Sequence, residues 1–273
     1  MTLTRKTFAP ILPIIAAIAL LVSPIGCVET QTGPQVTRGE IQQETQRLEV
    51  KKQQYDAKKR QAPFAGKSAA EQQAVVNDVG SRLLRQAEKP MEIKFSVQES
   101  KDVNAGATFG NIMVTTGMMN FVGSEDELAA VVGHEIAHLQ KDHVTKSIMS
   151  NLPVAIGSAI AESLSPGSGK VVEIGGNVFA QKYSRDMERE ADYFGIIYAH
   201  KAGFDASAGI EVWERFALEL PQSQQANIFN SHPPSTERMI RARKIAESLR
   251  GSPGWQPFAM CRLRQYTARR MRR

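Results

Sequence analysis

Apolar positions along the chain follow two rhythms, and these mark out most of its elements. Thr37 to Gln61 is charged and glutamine-rich, with a thin apolar stripe at Ile41, Leu48 and Tyr55. That pattern predicts a polar helix, either lying along a domain or acting as a spacer. Pro63 and Gly66 interrupt it. Ser68 and Glu71 have capping-box spacing and open a helix to about Glu88, with Val75, Val79 and Leu83 on one face. Ile93, Phe95 and Val97 alternate as a strand does, Asn104 to Gly110 reads as a glycine- and alanine-rich loop, and Ile112 to Thr115 is a second short strand. Ser124 and Glu127 repeat the capping box with acids in the first turn, where the helix dipole favours them, and that helix runs through Leu139. Residues 153–180 are small and apolar and predict looser helical packing. Ser184 to Ala202 is a further helix stopped by Gly203, and helices follow near 207–219 and 235–249. There is no internal repeat. The pattern predicts an α+β fold, mainly helical, with one small β-sheet.

The ends change the picture. Residues 1–26 combine a basic start (Arg5, Lys6), an apolar run from about Phe8 to Val22 and small residues, the order of a secretory signal too short to span a bilayer. Cys27 follows Gly26 as in a lipobox, although Pro24 stands where leucine is usual. The predicted mature chain is therefore a lipoprotein acylated at Cys27 and tethered in the periplasm. Val28 rather than aspartate after the cysteine favours the outer membrane. Residues 27–66 form a polar helical arm, 67–250 the main domain and 251–273 a basic, disordered tail. Cys261 is the only other cysteine, so the fold does not depend on disulfides. The last thirteen residues hold six arginines and no acid, which accounts for the net charge of +6. A basic excess confined to an exported tail points to anionic membranes or cell-wall polymers and away from nucleic acid.

The candidate chemistry lies in 131-VVGHEIAHLQKDH-143. His134 and His138 are four apart, so on a helix they project from one face and both reach one ion. Glu135 sits beside the first and can act as a base toward water. This is the H-E-x-x-H arrangement of zinc proteases, a rare coincidence in a chain with 5 histidines among 273 residues. A catalytic zinc needs a third protein ligand. His143 does not fit the extended motif, in which the third histidine comes ten residues after the first, and is expected at the surface. In 184-SRDMEREADYFG-195, Glu188 and Asp192 are four apart, so one carboxylate can bind metal while the other supports an imidazole from behind. Glu190 points away from them and is expected to be solvated or paired with an arginine.

With these motifs the chain resembles the M48 zinc metallopeptidases, over roughly Val75 to Leu249. The resemblance rests on Asn104-Ala105, 111-NIMVTTGMMNFV-122, 127-ELAAVVGHEIAH-138, 184-SRDMEREAD-192 and 232-HPPSTER-238. It implies a zincin-like domain with one Zn2+ held by His134, His138 and Glu188. Glu135 would be the general base, Asp192 would orient a ligating histidine, and His232 would lie at the site rim as a catalytic donor to the oxyanion, or, if the loop around 221–233 latches the site at rest, would be a fourth ligand to the metal. Arg238 would anchor the loop of His232. Gly106-Ala-Thr departs from the larger residues usual after the asparagine, which bears on substrate preference. With no long spanning helix after residue 25, the chain is similar to the soluble, lipid-tethered branch.

The reading that follows is a zinc endopeptidase for unfolded or misfolded envelope proteins, a quality-control role with envelope assembly machinery among its candidate partners. Polypeptide substrate is expected to lie near Asn104, extended against the strand at Ile112 and Val114. The rival is a chaperone or assembly factor that holds polypeptides in the same groove with little proteolysis.

Overall fold

The computed structural model describes residues 32–56, 62–150, 183–220, 232 and 236–250; the signal segment with Cys27, the stretch at 153–180 and the basic tail lie outside them. The described elements are α1 (Arg38–Gln54), α2 (Ala69–Leu84), β1 (Lys94–Gln98), β2 (Ala105–Thr108), β3 (Asn111–Thr115), α3 (Thr116–Phe121), α4 (Glu125–Gln140), α5 (Arg185–Lys201), α6 (Ala208–Glu219) and α7 (Thr236–Ser248). The chain is helical again at 143–150. The fold is α+β and mainly helical.

Helix α4 is the hub. It is buried from Asp126 to Gln140, and α2, α5, α6 and the sheet pack around it. A helix buried on all sides must find partners for every polar side chain it carries. Gln140 takes a hydrogen bond from the Lys89 backbone at 2.8 Å and returns one at 2.9 Å. At the other end Ser124 accepts from the Glu127 backbone at 3.1 Å, as the capping spacing predicts. The Glu127 carboxylate does not complete the box: it accepts from Gly123 N–H at 2.8 Å and from Arg215 at 2.5 Å.

The sheet order is β1-β3-β2, with β1 parallel and β2 antiparallel to the central β3. Strand β2 occupies what the sequence predicts to be a loop. Ala-Gly-Ala-Thr has almost no intrinsic β preference; pairing to β3 and packing on α4 make it a strand, with Ala105 and Ala107 buried. Beyond β3, Thr115 accepts from Met118 N–H and caps the short helix α3.

Helix α1 lies along the domain, held mostly by charge. Glu44, buried within it, binds Arg243 on α7 through contacts of 2.8 and 2.9 Å and also Arg47. Arg47 and Lys51 reach Glu214 on α6, Lys244 reaches Glu40, and Tyr55 donates to Glu219. Hydrogen bonding from Arg243, which outweighs the opposing effect of burial, holds the Glu44 carboxyl at about 2.

Helices α4 and α5 cross with almost no gap. A Cβ built on Gly133 would sit 2.8 Å from Gly195 O, and one on Gly195 would sit 2.7 Å from His134 N. Both obstacles are backbone, so no side-chain rotation relieves them.

Gly195→Ala should therefore force the helices apart, costing about 1–3 kcal/mol as overpacking does, read as a lowered urea midpoint. Gly39→Ala in α1, where nothing lies within 4 Å, should be neutral or stabilising. Glu44→Gln should lower the melting temperature at pH 7. A depressed carboxyl stabilises above its unfolded value of 4.5 and loses that contribution as pH falls toward about 2, so the gap from wild type should close across that window.

Candidate metal centre

The α4–α5 crossing sets the first turn of α5 against the middle of α4. Ser184 caps α5, accepting from Met187 N–H, and Glu188 and Asp192 follow one turn apart on the face turned to α4. One donor atom from each of His134, His138, Glu188 and His232 lies within 4.8 Å of every other, and all four residues are buried. His138 Nε2 is 3.0 Å from His134 Nε2 and 3.4 Å from Glu188 Oε1. His232 Nδ1 is 3.1 Å from His134 Nε2 and 2.9 Å from Glu188 Oε1.

These spacings fit a metal ion. A tetrahedral ion with bonds of roughly 2.0–2.1 Å holds its ligands about 3.3 Å apart, close to the separations found here. The charges fit as well. Glu135, Glu188 and Asp192 put three carboxyl groups in the pocket against the single guanidinium of Arg238, a deficit that a divalent cation offsets. Glu135 is fully buried and both its carboxylate oxygens lack a hydrogen-bond partner, with His232 Nε2 at 3.5 Å. A buried carboxylate without a partner is costly unless a polar ligand belongs beside it.

Each ligand has its own support. Arg238, on α7, grips Asp192 with two contacts of 2.7 and 2.8 Å, reaches Glu188 at 2.7 Å, and lies 4.3 Å over the ring of Trp213. Among the described residues it is thus anchored on the acidic pair. Asp192 Oδ1 lies 3.0 Å from His134 Nδ1, obliquely, so that the contact is electrostatic more than a straight hydrogen bond. Burial works against charged Glu188, but Arg238 and then His232 hold its carboxyl well below the usual range; at Asp192 burial is likewise opposed by Arg238, which lowers the carboxyl. Burial pushes His138 well below the ordinary imidazole value, keeping it neutral and able to ligate. For His232 burial is outweighed by Glu188 and Glu135, which push it up.

Several expectations are corrected. His232 is not at the rim: it is buried with its Nδ1 among the ligand atoms. His143 is not at the surface; it is fully buried, 3.1 Å from His138, and its other nitrogen is 3.1 Å from Glu190, a partly exposed carboxylate that thus pairs with a histidine. Ile112 and Val114 cannot receive a substrate strand, because β3 is paired along both edges and both side chains are in the core. Asn104 is turned into the sheet. Its Oδ1 accepts from Ala105 N–H and its own N–H donates to Thr115, so it pins the start of β2. The pocket also holds Tyr183, whose ring stacks on His138 at 3.9 Å, and Trp213, which lies against Arg238. No spacing flags either one, though the chain has only 2 tryptophans.

Comparison with known proteins agrees with this geometry. The profile of peptidase family M48 matches residues 70–246. The chain is 30% identical over 185 residues to a putative β-barrel assembly-enhancing protease of Vibrio cholerae, covering 63% of this chain and 38% of that one. To metalloprotease LoiP of Escherichia coli it is 27% identical over 210 residues, 72% of this chain and 79% of LoiP. To the mitochondrial metalloendopeptidase OMA1 of Schizosaccharomyces pombe it is 34% identical over 141 residues, 51% of this chain and 41% of OMA1. The chain thus spans well under half of the first of these relatives. Among the described residues no helix is long and apolar enough to cross a membrane. Two imidazoles and a carboxylate from crossed helices, a buried glutamate beside them, and a profile match that contains all of these place the chain in peptidase family M48.

Proposed function

We propose that the chain is a zinc-dependent endopeptidase that cleaves unfolded or misfolded polypeptides of the cell envelope. The observation that carries this reading is Glu135, buried beside the ligand cluster with neither oxygen bonded to protein. His134, His138 and Glu188 would hold the zinc, which would supply Lewis acidity toward water and a substrate carbonyl. Glu135 takes the proton of the attacking water and passes it to the leaving amine. Asp192 and Arg238 keep His134 and Glu188 in place while this happens.

The substrate lies along β2. Among the described residues no strand pairs with its outer edge, and it packs on the helix that carries Glu135. An extended peptide satisfies its backbone there, which selects flexible chains over folded ones. The envelope setting accords with the name of one relative, a putative β-barrel assembly-enhancing protease, and a tether at Cys27 would hold the chain there.

His232 would give the site a resting form. Were one ion held by all four donors, a tetrahedral shell would be full, whereas a catalytic site keeps one position open. His232, whose Nε2 lies 3.5 Å from Glu135, would then have to withdraw to admit substrate. This closed arrangement also favours the rival role, holding polypeptides without cutting them.

Glu135→Gln should keep the metal yet lower cleavage of unfolded casein by about 10²–10⁴-fold, as loss of a general base does; undiminished cleavage would overturn the assignment. Chelation should abolish cleavage and added zinc restore it. His232→Ala should raise basal cleavage if His232 closes the site, whereas a fall would make it the oxyanion donor.

A further inference from the structure

The turn after α4 does something a straight helix would not. In a continuous helix, His143 would sit roughly 140° around the axis from His138. Asp142 instead takes φ 57°, the left-handed region that aspartate tolerates better than most residues. The helical segment at 143–150 therefore restarts with His143 folded back against His138. Their Nδ1 atoms are 3.1 Å apart, with the rings edge to face at 5.0 Å and 71°. The Nε2 of His143 is 3.1 Å from Glu190 Oε2 on α5. The His143 side chain is wholly buried and that of Glu190 is 20% exposed.

The hydrogens then have one consistent arrangement. A carboxylate only accepts, so His143 Nε2 carries the hydrogen and donates to Glu190. The Nδ1 of neutral His143 is then a lone pair, and His138 Nδ1 must donate to it. That leaves His138 Nε2 as a lone pair, and this is the atom 3.0 Å from His134 Nε2 and 3.4 Å from Glu188. We propose that Glu190 and His143 form a relay that fixes His138 in the tautomer presenting Nε2 to the metal, with the left-handed turn at Asp142 bringing the relay within reach. Asp192 supports His134 directly; for His138 the carboxylate acts through an intervening imidazole. Both relay members are positioning residues. The proposal rests on the reading of His138 as a metal ligand.

The test measures the zinc dissociation constant of the full chain by competition with a chelator, together with the imidazole 15N shifts of His138 in the zinc-free protein. His143→Leu removes the acceptor, whereas in His143→Asn the Oδ1 falls where Nδ1 was. His143→Leu and Glu190→Ala should weaken zinc binding by about 10–100-fold, the usual cost of losing such a partner, while His143→Asn stays within about threefold of wild type. The 15N shifts should report Nδ1-protonated His138 in wild type and His143→Asn, and a mixture of tautomers in His143→Leu. Should His143→Leu fail to fold, Glu190→Ala and His143→Asn carry the comparison. The relay is overturned if zinc affinity in His143→Leu and Glu190→Ala is unchanged while the urea midpoint of the zinc-free protein falls, or if His143→Asn loses as much affinity as His143→Leu. Wild type that binds no zinc is a different failure, since it removes the metal reading itself.

Discussion

Helices α4 and α5 touch backbone to backbone at Gly133 and Gly195, and the metal centre is built outward from that contact. His134 follows Gly133 directly. Asp192 and Glu188 lie about one and two turns before Gly195, so a single close approach brings a ligand from each helix, and the partner of one of them, to the same level. Coordination distances tolerate only a few tenths of an ångström. A methyl group at either glycine occupies more than that tolerance. Two residues without side chains thus set the geometry of residues whose side chains do the chemistry.

The second constraint is electrostatic. Burying Glu188 and Asp192 is unfavourable, and Arg238 offsets it by contacting both. One guanidinium does not balance three carboxyl groups, a deficit that a bound cation would offset. Folding and metal binding are then coupled: whatever aligns the donors before the ion arrives lowers the cost of binding it. The short helix-to-helix path from Arg238 on α7 through Asp192 to His134 belongs to this alignment.

Much of this was legible in the sequence. The periodicity of Val75, Val79 and Leu83, the alternation at Ile93 to Val97 and the caps at Ser68 and Ser124 located the helices and β1 that frame the site, because in each the local signal agrees with the tertiary outcome. The i,i+4 spacing of His134 and His138, with the acidic pair downstream, located the ligands. What escaped depends on contacts remote in sequence. Ala105 to Thr108 carries no strand signal, since its neighbours make it a strand. His143 fails the spacing of the extended motif, and spacing alone does not reveal the left-handed turn at Asp142 that folds it back onto His138. The warning available was compositional: four of the chain's five histidines gather in one pocket.

Helix α1 is fastened to α6 and α7 chiefly by ion pairs whose basic partners are partly open to solvent: Arg47 is 42% exposed and Lys51 45%. Dissolved electrolyte shields such attractions over about 10 Å at 0.1 M and far less at higher concentration, while the apolar packing around α4 is indifferent to it. The molecule therefore has two fastenings of different character, a dry interior and a brine-sensitive outer brace. That brace grips the helix carrying Arg238, so the osmotic and ionic surroundings of the protein reach, through one helix, toward the ligands of the ion.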